Sequence, residues 1–119
     1  MRQAYAHAAV LAMDKDADEH APGGAITVAL CGSWRHEPPC PLAPHHTDPR
    51  RSGNEVTLRL LFAAEPEDEE RVRILVDEAL ARGWTDSPDG VRVHWQLVDS
   101  GPSDIRDEER EHAQRLVSG

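Results

Sequence analysis

Four stretches of the chain have the hydrophobic pattern and the length of β-strands. They are residues 4–13, 25–34, 55–64 and 91–98. Alternation of apolar residues with smaller or polar ones is typical of a strand with one buried face. The first stretch is rich in alanine, which also favours a helix. Its length and the polar segment that follows it favour a strand, so we predict a long hairpin loop between the first two strands.

Side-chain alternation assigns a core-facing set of residues to each of the last three strands. These residues are Ile26, Val28, Leu30 and Trp34, then Val56, Leu58, Leu60 and Phe62, then Val91, Val93, Trp95 and Leu97. By the same alternation, Cys31 and His94 belong to the opposite face of the sheet. We therefore expect these two side chains to meet there if their strands are close.

Residues 66–82 have the pattern of an amphipathic helix. Pro66 fits the first helical position, and the acidic residues after it complement the positive end of the helix dipole. The apolar stripe, at helical spacing, consists of Val72, Leu75, Val76, Ala79 and Leu80. We predict that Gly83 ends this helix in a left-handed conformation. A last helix is predicted at 104–117, capped by Ser103, and its thin apolar stripe calls for tertiary support or a partner.

The predicted order is strand, strand, strand, helix, strand, helix. This order indicates a single α+β domain over residues 1–119, with a four-stranded antiparallel or mixed sheet and the 66–82 helix packed on one face. The arrangement is loosely similar to ferredoxin-like folds. It departs from them because no helix is predicted between the first two strands.

The segment 35–54 carries the most unusual chemistry of the chain. It holds five prolines, so we predict an irregular loop. Loops of this length in a compact domain tend to be functional or disordered. Three of the seven histidines cluster around Cys40 in this segment, at His36, His45 and His46.

Thiolate and imidazole are the ligands that Zn²⁺, Ni²⁺ and copper prefer. The spacing Cys31-x4-His36-x3-Cys40-x4-His45-His46 could close a tetrahedral site at the end of the second predicted strand. We expect Cys31, Cys40, His45 and His46 to be the ligands, with His36 and His94 as substitutes. The leading hypothesis is a small metal-binding protein in which zinc or a similar ion stabilises the loop or is handled by the protein.

Three alternatives stay open. In the first, the segment is a surface loop with solvated histidines, and Cys31 is a small buried hydrophobe. In the second, a histidine activates Cys40 as a catalytic thiolate and Asp48 orients that histidine. In the third, the open sheet face and the C-terminal helix form a homodimer or partner surface without any metal.

Composition excludes several classes of function. The 119 residues include 22 acidic and 13 basic ones, which gives a net charge of −9 and argues against nucleic-acid binding. No apolar run reaches the ~20 residues of a membrane span. The first residues lack the pattern of a signal peptide, so we expect a soluble cytoplasmic protein with reduced cysteines. The sequence contains no P-loop, dinucleotide-binding or nucleophile-elbow motif that would indicate an enzyme.

Overall fold

A computed structural model describes residues 1–31, 43–87 and 89–118 of the chain. The strands are β1 (Gln3–Ala12), β2 (His45–Ser52), β3 (Glu55–Ala64), β4 (Trp84–Asp86), β5 (Arg92–His94) and β6 (Gln96–Ser103). The helices are α1 (Ala21–Cys31), α2 (Glu69–Arg82) and α3 (Arg110–Ser118). Short 3₁₀ turns, Pro66–Asp68 and Asp107–Glu109, precede α2 and α3. The predicted α+β class is confirmed.

The main sheet has four strands in the order β2-β3-β1-β6, and every neighbouring pair is antiparallel. Phe62 of β3 lies opposite Tyr5 of β1 on one side and His45 of β2 on the other. The register of β6 against β1 shifts between Val10 and Leu11, which marks a β-bulge. Strands β4 and β5 form a separate two-stranded sheet.

Helices α1 and α2 contact each other and cover one face of the main sheet, and the core lies between them and this face. The strand residues of the core come from alternate positions of β1 and β3: Ala9, Leu11, Val56, Leu58, Leu60, Phe62 and Ala64. The predicted core face of 55–64 is therefore confirmed. Because side chains alternate along a strand, His45 and His46 belong to opposite faces of this sheet.

The predicted strand at 25–34 is wrong over residues 25–31, which belong to α1, and residues 32–34, with the predicted core residue Trp34, lie outside the described residues. A continuous apolar run of this length fits a buried helix as well as a strand, and periodicity does not separate the two. Pro22 lies in the first turn of α1, where its missing N–H removes no helical hydrogen bond. Ile26 and Leu30, four residues apart, are buried against the core as one helical face.

Gly23 lets α1 approach β2 closely. A Cβ atom at this position would lie 2.5 Å from Oγ1 of Thr47 in β2. Such a distance is far inside van der Waals contact, so a side chain at position 23 would force Thr47 or the helix to shift.

The predicted irregular loop at 35–54 is wrong in its second half, where residues 45–52 form β2. Among the described strands, β2 lies at the edge of the sheet and pairs with β3 alone, and this position tolerates Pro49, which has no N–H to donate. The first half of the predicted loop, up to residue 42, lies outside the described residues.

The predicted strand at 91–98 is interrupted at Trp95. Residues before it pair with β4 and residues after it pair with β1. The Trp95 side chain is buried, with its Nε1 donating to the carbonyl of Leu80 at 2.8 Å. Val91, predicted to face the core, is 58% exposed. The predicted shared sheet face of Cys31 and His94 is also wrong, because Cys31 ends a helix and His94 belongs to the small sheet.

The predicted helix at 66–82 is confirmed. It begins with a 3₁₀ turn at Pro66 and continues as α2, whose buried residues are Val72, Val76 and Leu80. Gly83 follows with φ of 80°, the left-handed conformation that was predicted for it.

Helix α3 packs on the second face of the main sheet, against β1 and β3. Its Ala113 is buried, as are Ala6, Leu61 and Ala63 on this side of the strands. The face that was expected to be open is therefore covered by α3 at these residues. Ser103 is the last residue of β6 and not the predicted cap, since α3 and its 3₁₀ turn start only after residue 106. Among the described residues, no helix is long and apolar enough to cross a membrane.

Candidate functional site

His45 opens β2 and is held between two hydrogen-bonding groups. Its Nδ1 lies 3.0 Å from the carbonyl oxygen of Ala43, and its Nε2 lies 3.0 Å from Oγ1 of Thr27 in α1. A carbonyl oxygen only accepts, so Nδ1 carries the proton, and in the neutral ring Nε2 then presents its lone pair. The ring therefore directs an electron pair towards Thr27 of α1.

Cys31 is the last residue of α1, four residues after Thr27. Residues four apart lie on the same face of a helix. The backbone therefore places Cys31 on the face of α1 whose preceding turn contacts His45. The contact between Thr27 and His45 joins α1 to the start of β2. The predicted ligands His36 and Cys40 belong to the segment between these two elements and lie outside the described residues.

His46 lies on the opposite face of the sheet from His45. Its ring packs on the ring of His112 in α3, with 4.3 Å between the centroids and 38° between the ring planes. Burial is the main cause that lowers the pKa of His112, and the nearby His46 and Arg115 lower it further. His45 and His46 thus do not share one centre, although both were predicted as ligands of a single ion.

The two stacked imidazoles line a cleft of about 430 Å³ between the second sheet face and α3. The other lining residues are Asp48, Arg50, Arg59, Leu61, Arg106, Glu108 and Glu109. Arg59 and Glu109 form a buried pair with Nε–Oε2 and Nη2–Oε1 distances of 2.8 and 2.7 Å. The hydrogen bonds from Arg59 hold the pKa of Glu109 down to about 2.

Asp48 does not orient a catalytic histidine among the described residues. Its carboxylate accepts hydrogen bonds from Nε and Nη2 of Arg50 at 3.2 and 3.1 Å. The suggested partner, Cys40, lies outside the described residues, so the catalytic-thiol alternative stays a prediction.

His94 is exposed on β5, opposite Trp84. It lines a wide groove of about 1090 Å³ together with the acidic loop at 14–18. Throughout the part of the chain whose side chains the structure describes, no three His, Cys, Asp or Glu residues are grouped to hold a metal ion. His94 therefore belongs to no such group with the other described residues.

A polar cluster around the buried His7, which was not predicted from the sequence, joins β1, α2 and β6. His7 Nε2 lies 3.0 Å from Oδ1 of Asp77 and 2.9 Å from Oγ of Ser100, and these two oxygens are 2.5 Å apart. On the other side of the ring, Nη1 of Arg73 donates to Nδ1 at 2.9 Å. Because a guanidinium only donates, Nδ1 is the unprotonated nitrogen and Nε2 carries the proton.

The residues Ser100, His7 and Asp77 therefore do not form a nucleophilic triad. A general base needs an unprotonated nitrogen facing the hydroxyl, whereas the nitrogen that faces Ser100 is the protonated one. Burial is the main cause that lowers the pKa of His7, Asp77 opposes this shift, and Arg73 adds to it. The cluster fixes α2 on the sheet through a neutral histidine.

One sequence signal could have found this cluster. His7 falls in the same alternating set as Tyr5, Ala9 and Leu11, which places a histidine on the core face of a strand. A buried polar side chain requires hydrogen-bonding partners, so its position predicts polar residues on the packed helix.

Comparison of the chain with protein-family models, with curated proteins and with solved structures found no significant match. The function proposed for this chain is therefore carried by the geometry and chemistry of its own residues.

Proposed function

We propose that this protein is a small cytoplasmic metal-binding domain whose site lies at the connection between α1 and β2. The ligands are the thiolates of Cys31 and Cys40 and the imidazoles of His45 and His36, and the ion is Zn²⁺ or another borderline cation. The ion stabilises the connection or is handled by the protein, with no reaction of its own.

The hydrogen bonding of His45 carries this proposal. Histidines that bind metals usually donate from the second ring nitrogen to a backbone carbonyl or a carboxylate, which fixes the tautomer and the ring orientation. His45 makes this contact through Nδ1 with Ala43, and its Nε2 lies 3.0 Å from Oγ1 of Thr27. Oγ1 of Thr27 also lies 3.2 Å from the carbonyl oxygen of Gly23. When an ion binds Nε2 of His45, the Thr27 hydroxyl can therefore donate to Gly23 instead.

The predicted ligand set is narrowed by this proposal. His46 is excluded because strand alternation directs it to the other face of the sheet, where it contacts His112. His94 is excluded because it belongs to the small sheet and faces the acidic groove. We assign His36 as the fourth ligand instead, because it belongs to the segment that connects α1 to β2.

The test is elemental analysis of protein purified without a histidine tag, together with zinc titration by calorimetry after chelator treatment. We expect about one tightly bound zinc ion per chain, as in a closed structural site. His45→Ala and Cys31→Ser should each lose this ion, and thermal stability should fall with it.

His94→Ala is the matched control, because it removes an imidazole that the proposed site does not use. It should retain the metal content and melting temperature of the unmodified protein. Circular dichroism identifies any variant that fails to fold, and Cys40→Ser then provides an independent ligand substitution. Unchanged tight zinc binding in folded His45→Ala and Cys40→Ser variants would refute the proposed site.

For the architecture, we propose a ferredoxin-like arrangement with an added C-terminal helix. The support is the strand order β2-β3-β1-β6, together with a helical connection from β1 to β2 and another that begins after β3 and leads towards β6. Each of these connections joins two strands that have one further strand between them in the sheet. The α1 helix provides the element that the sequence pattern lacked.

A further inference from the structure

The pair of imidazoles formed by His46 and His112 is not used by the proposed α1–β2 site. We propose that these two side chains form a second binding site for a borderline divalent cation such as Zn²⁺ or Ni²⁺, in the cleft between β2 and α3. This site goes beyond the proposed function, because it lies on the other face of the sheet and shares no ligand with the first site.

The separation of the two rings suits joint binding of one ion. An imidazole nitrogen binds such ions at ~2.0–2.1 Å, so two imidazoles at the tetrahedral angle around an ion have centroids roughly 5 Å apart. The observed separation is 4.3 Å. The rings are therefore somewhat closer than in a shared site, and binding of one ion requires the side chains of His46 and His112 to rotate apart.

The backbone keeps the two histidines near each other without a metal ion. His46 lies on β2, opposite Leu61 of β3, and α3 packs against β3. The pair formed by Arg59 and Glu109 ties β3 to the turn that precedes α3. Two ligands from separate elements are thus held together by contacts that do not involve the ligands.

Acidic and basic side chains both surround the rings, and Arg115 also lies near His112. Asp48, Glu108 and Glu109 line the same cleft, and they offset the three arginines there. Glu109 is engaged by Arg59 and Asp48 by Arg50, so the two imidazoles are the protein ligands that we assign to this site. Water completes the coordination, as is usual for sites with few protein ligands that keep open positions.

An ion in this site joins α3 to the edge strand of the sheet. Binding to the folded state alone stabilises that state by mass action. We therefore expect the amide protons of α3 to exchange more slowly when zinc is bound.

The test is calorimetric titration of metal-free protein with Zn²⁺, with Mg²⁺ as the hard-cation control that imidazole does not prefer. We expect a second, weaker zinc-binding event in addition to the one at the α1–β2 connection. Loss of an outer-shell partner alone costs a metal site about 10–100-fold in affinity, so loss of a direct ligand should cost at least as much. His112→Ala should therefore abolish the weaker event, and His46→Asn should do the same. Histidine ring signals in NMR spectra should shift for both residues in the unmodified protein.

The outcomes separate the two sites. If His45→Ala removes only the tight event and His112→Ala only the weak one, both proposals are supported. If the tight event is missing but His112→Ala still abolishes a weak event, this second site stands and the proposed function fails. An unchanged zinc isotherm in folded His112→Ala protein, with unchanged exchange in α3, would overturn the second site. His94→Ala serves again as the control for a surface histidine.

Discussion

His7 shows how a single buried side chain can make stability depend on pH. Its neutral form accepts from Arg73 and donates from Nε2 towards Asp77 and Ser100. Burial lowers its pKa below the ordinary value of 6.5. The unfolded chain therefore binds a proton more readily than the folded chain does at mildly acidic pH.

We expect the free energy of unfolding to be highest above pH ~6.5 and to fall as the pH drops below that value, because the unfolded state is then favoured by protonation. Urea unfolding at several pH values between 7.5 and 5 measures this slope. His7→Gln, which keeps an acceptor and a donor but does not titrate, should make the slope shallower. His112, whose pKa is lowered too, contributes to the slope that remains. His94→Gln should change nothing, and an identical slope in His7→Gln would contradict the assignment.

Among the elements of the fold, helix α1 lies unusually close to a neighbouring strand, β2. Its sequence contains two glycines, which weaken an isolated helix by about 1 kcal/mol each relative to alanine. The position of Gly23 over Thr47 gives the physical reason for one of them.

Gly23→Ala should therefore destabilise the protein, although alanine is the better helix former. Overpacking costs about 1–3 kcal/mol and exceeds the gain of about 1 kcal/mol in helix propensity. Chemical unfolding of Gly23→Ala, of Thr47→Ala and of the double variant measures the coupling between the two positions. The double variant should recover much of the loss, since Thr47→Ala removes the nearest atom. Strictly additive effects would show that the two residues do not clash.

The elements that were predicted correctly are those whose own residues carry a clear pattern. Strand β3 has strict alternation, and α2 has a proline start, a helical stripe and Gly83 as its end. Helix α1 was misassigned because its apolar residues form an unbroken run, and its helical state is supported by burial of Ile26 and Leu30. The break at Trp95 was missed because it depends on a contact with the distant Leu80.

The candidate site was predicted less completely than the fold. Residue types and spacing directed attention to His45 and His46, but their separation depends on β2, which the prolines concealed. The contact between His46 and His112 joins distant parts of the chain, so no local pattern contains it.

For the whole molecule, the C-terminal helix completes the second layer. Its own apolar stripe is short, and within the described residues only Ala113 is fully buried in α3. The buried pair of Arg59 and Glu109, with side-chain exposures of 8% and 15%, fixes the start of this layer to the middle of the sheet.

Glu109→Gln should lower the free energy of unfolding by about 3 kcal/mol, because it leaves the charge of Arg59 buried without its counterion. The pair contributes stability above the ordinary carboxyl pKa of ~4.5 and loses it as the pH falls through about 2, the folded-state pKa of Glu109. Unfolding measurements at pH 7 and pH 3 test this, since the difference between the variant and the unmodified protein should shrink at pH 3. Glu111→Gln, which removes an exposed carboxylate on α3, is the control. An equal loss in both variants would contradict a special role for Glu109.

Pro49 on the outermost strand limits how this sheet can grow. An intermolecular β-ladder needs a continuous row of amide donors along the exposed edge. At β2 that row is interrupted by the imino acid at position 49. Fibril-like stacking through this side is therefore disfavoured by the covalent structure of the strand, whatever ion or partner the protein binds elsewhere.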